Sequence, residues 1–367
     1  MFHIAELTDQ VIDHLYADSE SLRNCALVAR SWVPAARYHI FFSVTIKHDS
    51  TCRRLCDLIA RTPHIGGYIR IIYVYFEAHR PPFDSLRDLR VLAPRQLNIV
   101  NCPHTTELAR ISHLLAHPAL IGIRFFSGAA VSRVQLAFLA QARAAPLRDL
   151  LLYSASDTPA AEDHALPAPV PRPLAISMLD IGGDATLVTS TLLDPHGPLN
   201  IRTLAALTFD SADIASLPRL LTLCGPSLLV LDILVSSPAL AATLHIGRST
   251  LPVLIDLRLF DIGADTLPAV PALLAQLAPA ALLRNLRLAP RRDDGDPAAS
   301  PFAPSPANHA LWHAVDSALA ALRELVSVTV EDLCALEPPA VLGFLGCFPT
   351  LVRKGILKMP SRVPGRS

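Results

Sequence analysis

Apolar residues recur along this chain in one short template: two aliphatic or aromatic positions separated by one residue, and a third three residues before them. It reads Ile69, Ile72, Val74; Leu120, Ile123, Phe125; Leu147, Leu150, Leu152; Ile176, Leu179, Ile181; and Leu204, Leu207, Phe209. It continues as Leu228, Leu231, Ile233; Leu254, Leu257, Leu259; Leu283, Leu286, Leu288; and Leu325, Val328, Val330. The alternation that closes each template is the period of a strand buried on one face. Between templates the spacing turns helical, over Val134 to Ala144, Ala185 to Leu193, Ile214 to Leu223, Leu267 to Leu277, Leu311 to Leu322 and Val341 to Phe348. Each unit is therefore expected to be a strand plus a helix. No unit of this size buries its apolar face alone, so the units must stack into one continuous core. One more strand is needed between 69 and 120: Leu97 to Asn101 fits the period and is favoured, whereas Leu86, Leu89, Val91 fits the template.

From 120 onward the template starts are separated by 27, 29, 28, 24, 26, 29 and 42 residues. All but the last match the period of leucine-rich repeats, which the pattern resembles. The long interval holds Arg291 to Asn308, RRDDGDPAASPFAPSPAN, whose polar, Pro- and Ala-rich composition cannot pack as a repeat. Asp157 to Pro173 is a second Pro-rich stretch, and both are expected as surface loops, near 156–173 and 290–308. The Asn or Cys that completes strong repeat signatures is mostly missing. The expected fold is an α/β solenoid, a curved array of strand-helix units over 47–360, with a frayed tail at 361–367.

The first residues carry another pattern. Ile4, Leu7, Val11 and Leu15 are spaced three, four and four, with polar residues between them, as on one face of a short helix. Asp18 and Ser19 can accept from the unpaired amides at the start of a second helix through Leu22, Cys25, Ala26 and Ala29. Pro34 suits the first turn of a third. Three helices over residues 1–46 form a module too small to be stable alone, so it must lean on the adjoining solenoid or on a partner.

The order ELTDQVIDHL, LRNCALVARSW, RYHIFF resembles an F-box, in the form seen in large families from mushroom-forming fungi. The resemblance covers roughly residues 4 to 46. Its carriers are Val11, Ile12 and Leu15, then Val28-Ala29-Arg30-Ser31-Trp32, then Phe41 and Phe42. Ile4 stands where the family has a Leu-Pro opening, and Ala29 where it has cysteine. The resemblance implies a substrate receptor and not an enzyme. The N-terminal helices would dock the Skp adaptor of a cullin-RING ubiquitin ligase while the solenoid presents a protein substrate. The residues that would form or support the adaptor face are Ile4, Leu7, Val11, Leu15, Leu22, Cys25, Val28 and Trp32. The alternative is a leucine-rich-repeat interaction scaffold whose F-box-like segment is only a structural cap.

Composition agrees with a large core: of 367 residues 51% are hydrophobic and 17% charged. With 32 basic and 32 acidic residues the net charge is zero, so no global field draws nucleic acid or an anionic membrane, and neither is expected as a partner. Glu6 and Asp9 interrupt any apolar leader, so no export signal is expected. The most membrane-like window, Thr266 to Leu283, is broken by Pro268, Pro271 and Pro279 and reads as a packed segment. Seven dispersed cysteines read as reduced core residues of an intracellular protein, cytoplasmic or nuclear. No phosphate-binding glycine loop, H-E-x-x-H or G-x-S-x-G is present. The pairs His113/His117, His309/His313 and Cys52/Cys56 are each four apart, yet two ligands alone hold a metal poorly, so no cofactor or metal is expected. Ser300 and Ser305 each precede a proline in the second insertion, a context in which modification is conceivable; the basic stretch Arg353 to Arg366 reads as a polar end.

Overall fold

The computed structural model describes residues 4–76, 84–102, 105–128, 131–143, 147–155, 173–183, 186–211, 214–235, 237–238, 240, 244, 250–277, 282–291, 301, 305–331 and 338–358. Most of the insertion at 156–173, residues 292–300 and 302–304 of the second one, and the tail at 361–367 lie outside the described residues. The chain forms two compact units, Met1–Leu174 with His196–Leu199, and Ala175–Pro195 with Asn200–Ser367.

The first unit opens with three helices, α1 (Ile4–His14), α2 (Ser19–Val28) and α3 (Val33–Phe42), with a 3-10 turn at Arg30–Trp32. Strand β1 (Ser43–Ile46) follows α3 directly, and helix α4 (Asp49–Arg61) leads to β2 (Ile71–Tyr75). Strands β3 (Gln96–Val100), β4 (Gly122–Ser127) and β5 (Leu147–Ser154) complete a parallel sheet in chain order, β1 to β5. The strand expected at 97–101 is thus β3, while Asp84–Val91 winds as 3-10 turns that bury Leu86 and Leu89.

The second unit holds β6 (Leu174–Gly183, all but its first residue), β8 (Ala206–Ser211), β9 (Val230–Leu234), β10 (Asp256–Ile262), β11 (Asn285–Pro290), β12 (Ser327–Val330) and β13 (Leu357–Lys358). These again pair in parallel in that order, a two-residue strand β7 (Leu199–Asn200) intervening in sequence. Helices lie between the strands: Thr186–Leu192, Leu217–Cys224, Ala269–Leu277 and Pro306–Ala320, with Pro338–Leu345 and Pro349–Lys354 before β13. Parallel partners require such a crossover, which gives the alternation of strand and helix its structural meaning.

Register explains the template. In the second unit Leu179, Leu207, Leu231, Leu257, Leu286 and Val328 are successive partners across the sheet. Two residues on, Ile181, Phe209, Ile233, Leu259, Leu288 and Val330 form a second buried row. In the first unit the same rows run Ile72, Leu97, Ile123, Leu150 and Val74, Ile99, Phe125, Leu152. A slip of one residue would turn a whole row out to water, so burial pins the register. A backbone device does the same at several strand entrances, where two consecutive amides donate to one carbonyl of the preceding repeat. Arg95 and Gln96 donate to Arg70, Ile121 and Gly122 to Arg95, Arg148 and Asp149 to Ile121; Leu229 and Val230 donate to Ala205, and Ile255 and Asp256 to Leu229. Buried Arg143 closes a helix end by donating to the carbonyls of Leu115 (2.8 Å) and Leu120 (3.1 Å).

Candidate functional site

The N-terminal module builds its core from Ile12, Leu22, Cys25 and Ala36, with Leu15, Ala26, Trp32, Ala35 and Ile40 packed around it. Asp18 starts α2 by accepting from the amides of Glu20 (3.0 Å) and Ser21 (3.1 Å), and the Ser21 hydroxyl also donates to it. These donors, led by that hydroxyl, hold the Asp18 carboxyl below the usual carboxylate range. His39 Nε2 and Asp13 Oδ1, 2.7 Å apart, tie α3 to α1.

The residues singled out for the adaptor face separate into two sets. Leu22 and Cys25 are core, and Leu15 and Trp32 are half-buried against it. Leu7, Val11 and Val28 point into solvent, 50%, 56% and 68% exposed. Ile4 opens α1; its side chain lies outside the described residues. The apolar stripe on α1 therefore divides: Leu7 and Val11, one turn apart, face outward, while Leu15, with Ile12 from outside the stripe, faces the core. Two exposed residues escape the spacing argument, Leu27 at 85% and Tyr16 at 70%. Leu27 falls between the core positions of α2, and only the burial of its neighbours reveals it.

Strand residues between the buried rows form a second kind of surface, with different chemistry in each unit. In the first, the row Tyr73, Asn98, Arg124, Leu151 lies beside Tyr75, Val100, Phe126, Tyr153. Lys47 Nζ sits over the Tyr75 ring at 5.3 Å. In the second unit the matching row is Asp180, Thr208, Asp232, Arg258, Arg287, Thr329. Arg258 donates to Glu331 at 2.6 Å. Burial pushes Asp232 above the usual carboxylate range, against the pull of Arg258 and Arg287. Asp256 accepts from Asn285, whose oxygen accepts from the Ser327 hydroxyl at 2.8 Å. This second face is more acidic and its charges largely satisfy one another.

The histidine and cysteine pairs do not gather into a metal site. His117 Nδ1 accepts from the Ala119 amide at 3.1 Å in a turn, and half-buried His113 is held below the usual imidazole range, chiefly by desolvation. Cys52 is buried and its thiol is pushed up to about 12, chiefly by desolvation. Among the described residues no cluster of three or more His, Cys, Asp or Glu side chains could hold a metal ion. Ser305 accepts from the Asn308 amide at 3.0 Å as the cap of helix Pro306–Ala320, and Ser300 lies outside the described residues. No described helix is long and apolar enough to cross a membrane. No family model matches the chain, and a search of curated proteins returns no match.

Proposed function

We propose that this chain is the substrate-recognition subunit of a cullin-RING ubiquitin ligase, an F-box receptor. It docks a Skp-type adaptor through its N-terminal helices and a protein substrate through repeats like those of leucine-rich-repeat solenoids. The observation that carries the reading is the outward apolar set Leu7, Val11, Leu27 and Val28 on a module whose core cluster, among the described residues, has four buried members. Covering such side chains stabilises a complex by about 1 kcal/mol or more each, a strong reason for them to face a partner. In this reading Leu7, Val11 and Val28 touch the adaptor, Leu22 and Cys25 support the helices beneath them, and Leu15 and Trp32 fix the angle between helices. The chain supplies recognition and no catalytic step.

The test is co-purification of the chain with the Skp adaptor, repeated with Val11→Asp and Val28→Asp. Wild type retains the adaptor and the double variant loses it; a wild type that retains none ends the reading.

One observation favours the alternative, an interaction scaffold in which the helices are only a cap. Helix α3 runs straight into β1, the Arg70 amide donates to the Phe42 carbonyl at 3.0 Å, and the Tyr38 and Tyr68 rings meet edge to face. The helices are thus fastened to the sheet as a cap would be. A scaffold binds no adaptor, and deleting residues 1–46 leaves its partners bound.

A further inference from the structure

We infer that the solvent side of the first unit's sheet is a docking surface for an acidic, extended peptide segment. The inference rests on the receptor reading only in naming that segment as part of the substrate.

The strand entrances place Arg70, Arg95, Ile121 and Arg148 at equivalent positions of successive repeats, because each amide pair is anchored to the previous entrance carbonyl. Three of these four neighbours are arginines. Arg95 and Arg148 are exposed, as are Arg124 in the middle of the face and Lys47 at its β1 margin. Among the described residues no carboxylate pairs with Lys47, Arg70, Arg95 or Arg124; the one acid on this face, Asp149, lies 3.8 Å from Arg148. The surface thus carries uncompensated positive charge, although the chain as a whole is neutral.

Between these cations the face is apolar and aromatic, through Tyr73, Tyr75, Phe126, Leu151 and Tyr153. An apolar centre with charge toward its margins is the anatomy of a protein interface. Beneath it Asn98 is fully buried, and its Nδ2 has no hydrogen-bond partner. At the entrance edge, Tyr38, Phe42, Arg70, Arg95, Gln96 and Asp149 line a cleft of about 260 Å³, in which the two arginines outnumber the one carboxylate.

Strand spacing sets the length of the segment. From β2 to β5 is three strand intervals, about 14 Å, which an extended chain crosses in about five residues. Carboxylates at alternate residues of such a segment would meet the arginine row, while the residues between them lie on the aromatic centre. Single-stranded nucleic acid, whose bases would stack on the same rings, also needs a basic groove along its phosphates, and among the described residues Arg124 is the one cation within the strand rows.

The test is an array of immobilised ten-residue peptides, with glutamate at alternate positions and apolar or aromatic residues between, beside a matched array with glutamine. It is probed with the full chain and with Arg95→Glu, Arg124→Glu and Tyr153→Ala, each checked for an unchanged melting temperature. The expected result is capture by glutamate peptides only, reduced about tenfold or more by either charge reversal and severalfold by Tyr153→Ala. Equal capture by glutamine peptides, no capture, or capture indifferent to both reversals overturns the inference, as does displacement of bound peptide by oligo-dT at lower concentration than by free glutamate peptide. Adaptor co-purification run on the same variants separates the two readings: charge reversals that abolish peptide capture leave adaptor binding unchanged. A chain that binds peptide without adaptor refutes the receptor reading alone, and one that binds adaptor without peptide refutes this inference alone.

Discussion

Leu229 and Leu231 are the same residue type, two positions apart at the start of one strand, and the structure assigns them opposite fates. Leu231 is 0% exposed and lies between Leu207 and Leu257 in the buried row, whereas Leu229 precedes the strand and is 40% exposed. Leu231→Ala removes fully buried methyl groups and leaves a void between two neighbouring repeats, a change that costs about 3 to 4 kcal/mol. Leu229→Ala loses only partial burial and opens no cavity, so its cost is about 1 kcal/mol. Urea unfolding can be followed through Trp312, which is buried against Phe344 and Phe348 in the same unit, after Trp32→Phe removes the chain's other tryptophan. With a urea dependence of about 2 kcal/mol per molar, the midpoint falls by about 1.5 to 2 M for Leu231→Ala and about 0.5 M for Leu229→Ala. Equal shifts, or a larger one for Leu229→Ala, would refute the stacked-row account of the core.

Local chemistry makes three further predictions. Arg143→Met leaves the carbonyls of Leu115 and Leu120 without the guanidinium and lowers stability in denaturant titration by about 2 kcal/mol or more, and Arg143→Lys rescues little because one ammonium cannot serve both oxygens. The thiols of Cys52 and Cys224, both pushed up to about 12 by burial, stay unmodified by iodoacetamide at pH 8 in the folded chain and react after unfolding, as mass spectrometry of timed samples would record. Asp49 is held below its ordinary value of 3.8, first by the Ser85 hydroxyl. Its folded pKa is depressed, so its contribution to stability is present above 3.8 and lost as pH falls through the folded value; Ser85→Ala brings the Asp49 titration, read by NMR, back toward 3.8.

Where function depends on periodicity the sequence is legible, and where it depends on the identity of intervening residues it is less so. The paired apolar positions of each template identify the buried rows because only one face of a strand can carry them. Helix Pro306–Ala320 begins five residues before the expected Leu311, since Ser305 and Pro306 cap it ahead of its first apolar repeat. Strand β1 is hidden by its place: Ser43–Ile46 follows the aromatic end of α3 without a break, and the template it completes, Phe41, Val44, Ile46, begins inside that helix. Strand β13 is only two residues long. On α1, spacing identifies an apolar stripe but not which way it faces. Leu7 and Val11 match the core residue Ile12 in character, and their outward direction is set by Leu22, Cys25 and Ala36 packing on Ile12. The aromatic and cationic face of the first unit is invisible in the sequence for a related reason. Tyr73, Tyr75, Phe126 and Tyr153 come together only through the register of four strands far apart in the chain.

The central claim is that the outward apolar side chains of α1 and α2 are where an adaptor sits. Amide hydrogen exchange of the full chain, with and without saturating Skp adaptor, tests occupancy and location together. The account predicts slowed exchange in α1 and α2, around Leu7, Val11, Leu27 and Val28, with exchange in the second unit unchanged. Adaptor binding that leaves those helices unprotected, or no change in exchange anywhere, would contradict it.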